Sequence, residues 1–401
     1  MAIDNGKKAL IINEAINVFK EKRFANGSLS EIARRLDISP SLIYYYFKNK
    51  DEIFAEIVKQ FKDELCKAID EEMSKMDVPF DKLFSMLTAY KNFIRDHRVL
   101  YDIFREVEFV NKPLAADYYK ELSDRIVSVI APALKDDIDY EAVSYAILGS
   151  VYFVVLKNLI WDEKPDVEAE YSSVKKFLMN GIDVKGDFTP YILKEKEPPK
   201  EEREFETRGE KTRCNLVKAA EKLFGEKGYN ETQIADIVYR AKVGLGTFYI
   251  YFKSKKEILR DVVKYINHTL RKYSWLYFKD FTDRREVENA GMQAFFYLFK
   301  NKNMGNDYRV VREAEFVDKE TGTWYYKRLA SSYEKGLIDG IKNGEIIEVD
   351  PVTLSYILMG IGHTVGIKWF VLDEREELSE NSILSVLEFM MHGLHALERS
   401  K

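Results

Sequence analysis

Apolar residues recur along almost the whole chain at intervals of three and four, as in Ile12, Ile16 and Phe19; Leu83, Leu87, Tyr90 and Ile94; and Leu216, Ala220, Leu223 and Phe224. That period puts them on one face of an α-helix, and no stretch keeps the strict alternation of a half-buried strand. An all-α fold is expected, with about nine helices in each half. Residues 140–161 and 351–372 are apolar nearly all round and require burial on more than one side. Within the first of these, residues 151–161 are interrupted by Lys157 and are too short to cross a bilayer.

The pattern repeats. Shifted by 205 positions, residues 11–59 align with 216–264 without a gap, and 15 of the 49 pairs are identical, among them Ala15/Ala220, Phe19/Phe224, Ile32/Ile237, Tyr44/Tyr249, Phe47/Phe252 and Lys48/Lys253. The run FREVEFV at 104–110 returns as VREAEFV at 311–317, and Tyr145, Gly149 and Lys157 return as Tyr356, Gly360 and Lys368. Duplication therefore covers each half and organises the fold. Five segments are expected: a small helical unit at 1–60, a helical body at 61–193, a linker at 194–206, a second small unit at 207–264 and a second body at 265–401. The linker, KEKEPPKEEREFE, is charged and holds adjacent prolines, so it reads as solvated chain. From 181 to 207 the chain can reach roughly 85 Å at ~3.3 Å per residue.

In the first small unit a helix from about Lys8 ends near Lys22, and a second starts at Gly27-Ser28, where Ser28 and Glu31 have capping-box spacing. Ser39 then supplies an N-cap and Pro40 a first helical residue. In the third helix Ile43 and Phe47 point inward, while Ser41, Tyr44, Tyr45 and Lys48 lie on the opposite side. Small, aromatic and cationic groups on one exposed face suit a helix in the DNA major groove. The second copy repeats this with Gly244 at the cap and Phe248 and Phe252 inward. The candidate DNA contacts are Ser28, Ser39, Ser41, Leu42, Tyr44, Tyr45 and Lys48 in the first copy, and Thr232, Gly244, Gly246, Thr247, Tyr249, Ile250 and Lys253 in the second.

SPSLIYYYFKNKDEIF and, more closely, LFGEKGYNETQIADIVYRAKVGLGTFYIYFKSKKEIL resemble the DNA-binding segment of the TetR family of repressors. Gly228-Tyr229, Thr232, Ile237, Val243, Gly246-Thr247, Tyr249, Tyr251-Phe252-Lys253 and Lys255 carry the second match. The first copy departs at Arg23, Gly27 and Ser39-Pro40-Ser41, so the two copies are expected to prefer different bases. The resemblance implies two tandem units, each a three-helix helix-turn-helix head followed by a helical body that binds an effector and dimerises. Such regulators work as homodimers on palindromic sites, and here the duplication supplies both protomers within one chain.

The formal net charge of −5 changes meaning once it is divided. Residues 7–59 hold ten Lys/Arg against seven Asp/Glu, and 206–264 hold thirteen against eight, so two basic heads sit in an acidic chain. Local cations are what phosphate contact requires. The start lacks a secretory pattern, so a cytoplasmic protein without membrane attachment is expected. Cys66 and Cys214 read as reduced thiols. His392 and His395 lack a third ligand for a metal site, and no residues form a catalytic constellation or a cofactor motif, so no catalytic residue, metal or cofactor is expected.

In the bodies, Tyr152, Phe153, Lys157 and Trp161, with His363, Lys368 and Trp369, are the candidate effector contacts, and they favour an apolar or aromatic small molecule. A pairing of Lys157 and Lys368 with the repeated acids Glu106/Glu108 and Glu313/Glu315 is the favoured structural role for those cations. The glycines Gly149, Gly360, Gly362 and Gly366 are expected to allow close helix approach, and helices near 168–181 and 380–397 to complete one intrachain bundle. The expected function is an effector-responsive repressor acting as an intrachain pseudo-dimer on double-stranded DNA, with further oligomerisation open. The alternatives are a ligand-binding or scaffolding protein with one DNA-competent head, and an intermolecular dimer with four heads.

Overall fold

A computed structural model of the chain describes residues 5–162, 168–197, 207–300 and 302–399. Among them the regular elements are helical. The first half contains α1 (Asn5–Asn26), α2 (Leu29–Arg35), α3 (Pro40–Tyr46), α4 (Lys50–Met73), α5 (Pro79–Asp96), α6 (Arg98–Phe104), α7 (Val107–Val110), α8 (Lys112–Ile130), α9 (Tyr140–Leu156) and α10 (Glu168–Asn180). The second contains α11 (Arg208–Lys227), α12 (Ile234–Arg240), α13 (Leu245–Tyr251), α14 (Lys255–Phe278), α15 (Arg284–Lys300), α16 (Lys302–Val317), α17 (Lys319–Lys342), α18 (Pro351–Gly366) and α19 (Glu380–Leu397). Both α9 and α18 run on as π-helix, over Lys157–Trp161 and Ile367–Leu372. By length and composition 140–161 and 351–372 could each cross a membrane, but 100% and 83% of their apolar windows are buried in the protein, as core helices are.

Caps set the boundaries of the short helices. Ser28 Oγ accepts the Glu31 N–H and Ser39 Oγ the Leu42 N–H, with Pro40 opening α3 as its missing N–H allows. Regular α1 stops at Lys22 because Arg23 takes φ 64 and ψ 164. The equivalent residue after α11 is Gly228, at φ 89 and ψ 162. Only glycine adopts that region without strain. Arg23 is held there by an ion pair with Asp102 at 2.8 Å.

The helices pack as two compact units. One comprises residues up to 133 with 155–162, and the other 134–154 with 168–399. In the first unit Phe19, Ile32, Ile43, Phe47 and Phe54 form the core of the head, with Phe24 at 4.8 Å from the Phe54 ring. Phe61 and Phe104 stack with centroids 4.8 Å apart beneath them in the body.

In the second unit the first-half segments 140–154 and α10 lie against α18 and α19. Gly149 and Gly360, 211 positions apart in the sequence, face each other so closely that a Cβ on either would fall 2.1 or 2.0 Å from the other's carbonyl oxygen. Phe177 and Phe389, 212 apart, meet edge to face at 5.9 Å. Gly181 abuts Met391 and Gly393 abuts Met179, both glycines at positive φ, 64 and 66. The first two contacts join equivalent positions of the two copies and the last two are reciprocal, which is the signature of an isologous interface.

The chain that leads into the expected linker is tied to the second half by its backbone as far as Lys196, while residues 194–197 themselves are exposed. Gln293 accepts the Leu193 N–H through Oε1 and donates through Nε2 to the Tyr191 carbonyl. Tyr297 donates to the Leu193 carbonyl, the Lys196 N–H donates to the Tyr277 hydroxyl, and Tyr273 donates to the Lys196 carbonyl. Buried amides and phenols on α14 and α15 thus satisfy the extended backbone of residues 191–196 where it enters the linker. Residues 198–206 of the linker lie outside the described residues.

Candidate nucleic-acid interface and effector cavity

Each head is held rigid by polar pairs at matching positions. Arg35 on α2 grips Glu21 on α1 at 3.0 and 2.6 Å, and Arg240 grips Glu226 at 2.9 and 2.8 Å. The planar fork of arginine fits a carboxylate with two parallel bonds, fixing the angle between the first two helices. Arg35 and Arg34 together hold the Glu31 carboxyl down at about 2.

On that frame the third helix of each head turns its polar face outward. Tyr44 and Tyr45 are 58% exposed, and Tyr249 and Ile250 are 54% and 76% exposed, whereas Ile43, Phe47, Phe248 and Phe252 are buried. Ser41, Lys48, Gly244, Gly246 and Lys253 are also exposed, and Leu42 and Thr247 are half-buried. Ser28 and Ser39 are exposed but their hydroxyls are engaged as caps. Thr232 is placed differently from the rest. It has no exposed surface, and its hydroxyl donates to the carbonyls of Leu223 and Gly228, so it supports the turn from inside. Tyr239, 87% exposed on α12, was not singled out by the sequence reading because its helix showed only its apolar spacing.

The body of the second unit contains a narrow cavity of about 40 Å³ between α15, α16, α17 and α18. Its walls include Phe295, Tyr308, Val311, Tyr326 and His363, with Phe153 reaching in from the first copy. That volume holds a water or two, so any larger molecule must spread the helices. Polar groups lie in its wall and behind it. The Tyr308 hydroxyl and His363 Nε2 are 3.2 Å apart, and Arg312, fully buried, bonds Tyr152 Oη and Glu315 Oε2 at 3.2 Å each. The Phe153 and Tyr152 rings lie 4.6 and 5.9 Å from that of His363.

Of the candidate effector contacts, the structure therefore brings Tyr152, Phe153 and His363 together. Trp369 is buried against Phe296 with centroids 4.8 Å apart, and Lys368 lies outside the cavity wall. Lys157 and Trp161 belong to the first unit, where Lys157 Nζ is 3.9 Å from Asp162. The expected partners of Lys368 are corrected. It pairs with Glu141 at 2.9 Å and Asp373 at 3.0 Å, not with Glu313 or Glu315, because α18 presents it to the first copy's α9 rather than to α16. Glu315 is taken by Arg312 and Glu313 by Arg309 at 2.8 Å. Residues of α15 to α17 that line the cavity were missed, since their aromatics share the helical spacing of ordinary core.

Comparisons with known proteins agree with the geometry of the heads. The family description "bacterial regulatory proteins, tetR family" matches at residues 11–57 and again at 216–262. The chain is similar to the fatty acid metabolism regulator protein of Bacillus subtilis (strain 168), 23% identical over 181 residues, 43% of this chain and 93% of that protein. It is similar to the uncharacterized HTH-type transcriptional regulator YxbF of the same organism, 20% identical over 259 residues, 64% of this chain and 66% of that one. Among solved structures, the transcriptional regulator FadR from Bacillus subtilis in complex with stearoyl-CoA is 24% identical, with 44% of this chain and 97% of that chain covered and a TM-score of 0.38.

Proposed function

Because this chain is a TetR-family transcriptional regulator with two tandem copies of the family's unit, and not an enzyme, we propose that it acts as an effector-responsive repressor whose two halves form one intrachain pseudo-dimer. Residues 1–60 and 207–264 are then the heads, 61–193 and 265–401 the bodies, and the setting is the cytoplasm. The carrying observation is the set of contacts between equivalent positions, above all Gly149 on Gly360. A seam made within one chain replaces a bimolecular association by an intramolecular one, at an effective concentration on the order of millimolar.

The DNA target is a pseudo-palindromic duplex with half-sites about 34 to 36 Å apart. In this reading Ser41, Tyr45, Thr247 and Ile250 approach base edges, and Tyr44, Tyr249, Lys48 and Lys253 hold phosphates; support comes from the exposure of this face. Different third helices give the two half-sites different sequences. The effector is an apolar or aromatic small molecule that opens the cavity beside Phe153, Tyr308 and His363. Light scattering on the protein alone and on its complex with the minimal duplex tests this. One chain per duplex is expected. Two chains per duplex would replace the reading by a four-headed assembly, and a duplex protected over one half-site only would leave one working head.

A further inference from the structure

The acidic residue of the repeated FREVEFV/VREAEFV motif ties each head to its body by the backbone. Glu106, at the junction of α6 and α7, is 6% exposed and accepts the Phe24 N–H through both oxygens, at 3.3 and 3.5 Å. Glu313, 207 positions later on α16, accepts the Tyr229 N–H at 2.6 Å. Phe24 and Tyr229 are equivalent residues, each directly following the positive-φ residue that ends the first helix of its head. The same turn is gripped from its other side. Lys50 Nζ donates to the carbonyls of Phe24 and Ala25, and Lys255 Nζ to those of Tyr229, Asn230 and Thr232, each 4.3 Å from the ring of Phe24 or Tyr229.

We propose that Glu106 and Glu313 are positioning residues for DNA binding: each anchors the first turn of its head to the body. A carboxylate bond to an N–H is charge-assisted and about twice as strong as its neutral counterpart. A head freed from its anchor samples more orientations, all of which must be given up when both heads bind one duplex.

The two anchors differ in what faces them. Glu106 meets Arg23 from α1 at 4.0 Å, Lys50 from α4, and Asp102 and Arg105 from the run on which it sits. Burial dominates there and pushes its carboxyl up to about 7. Glu313 is 14% exposed at its side chain, is bonded by Arg309 Nε at 2.8 Å, and faces Lys255. Glu313 also lies two residues beyond Val311 of the cavity wall, so in the second copy one helix carries both the wall and the anchor.

The inference rests on the DNA-binding reading above, and the experiment separates the two. Glu106→Gln, Glu106→Ala, Glu313→Gln and Glu313→Ala are made in the full chain, and affinity is measured at pH 8 for a duplex that the wild-type chain selects from a random pool. The alanine variants are expected to lose about tenfold, the scale of one hydrogen bond to a charged group, and the glutamine variants, which keep an acceptor oxygen, to recover part of that loss. Amide exchange without DNA gives a second readout, with faster exchange expected in residues 20–30 for Glu106→Ala and in 225–235 for Glu313→Ala. Alanine variants that bind the duplex like wild type, or that exchange like wild type, overturn the anchors. If the wild-type chain selects no duplex, the repressor reading fails and exchange alone decides the anchors.

Discussion

Gly149 and Gly360 occupy the same position in the two copies and meet each other backbone to backbone, with no room for a Cβ on either. Two helices that touch at glycine come closer than any side chain permits, and Thr364 uses the proximity to donate its hydroxyl to the Tyr145 carbonyl at 2.7 Å. The closeness makes the seam unusually sensitive to a single methyl group.

Gly149→Ala and Gly360→Ala should each destabilise the chain by about 1–3 kcal/mol, the cost of overpacking a dense core. The thermal midpoint measures this. A substitution of Gly186, whose Cβ would meet nothing within 4 Å but whose φ is +66, should cost only its backbone strain and so serves as the contrast. Equal midpoints for wild type and Gly149→Ala would mean that the contact is not made in solution.

Arg23 should respond to substitution in an order that contacts alone do not suggest. Its backbone strain costs about 1–3 kcal/mol, whereas its partly exposed pair with Asp102 returns about 1 kcal/mol or less. Arg23→Gly, which restores the residue found at Gly228, should therefore match or exceed wild type in urea denaturation, and Arg23→Ala, which keeps the strain and loses the pair, should fall below both. An alanine variant as stable as the glycine variant would count against strain at this residue.

Lys48→Ala and Lys253→Ala should weaken DNA binding across sequences and make the slope of log affinity against log salt shallower by about one unit each. Exchanging Tyr45 and Ile250 should instead change which bases are preferred and leave the slope alone. Titrations at several salt concentrations separate the two effects. An unchanged slope for one lysine would show that its head does not touch the phosphates.

The buried Glu106 carboxyl implies a definite pH dependence of stability. Its folded value, about 7, lies above the ordinary 4.5, so between those values the folded chain holds a proton that the unfolded chain has lost. Stability therefore falls as pH rises through that window and levels off above it, by on the order of 3 kcal/mol at most. Denaturation of wild type and Glu106→Gln between pH 5 and 8 should show the difference shrinking towards pH 5.

Much of the head was legible in the sequence because its determinants are local. The Ser28 and Ser39 caps, Pro40 at the start of α3, and the inward spacing of Ile43 and Phe47 all act within a turn or two of chain, and the repeat gave Ser39, Ile43 and Phe47 a second reading in Gly244, Phe248 and Phe252. Thr232 reads as a candidate DNA contact in the sequence because nothing local distinguishes a hydroxyl facing a phosphate from one donating inward to Leu223 and Gly228.

What the sequence by itself determined was the helical period, the duplication and the chemistry of two exposed recognition faces, since each depends on residues three, four or about two hundred positions apart in fixed register. Tertiary structure alone decided the partners. Lys368 could have met Glu313 or Glu315 of its own copy, but the crossing of α9 over α18 delivers Glu141 instead. The backbone of 191–196 could have been left to water, but Gln293, Tyr297, Tyr277 and Tyr273 offer it a matched row of hydrogen bonds while the charged side of 194–197 stays exposed. Charge and polarity state what a residue needs, and only packing selects which of several suitable groups arrives to meet it.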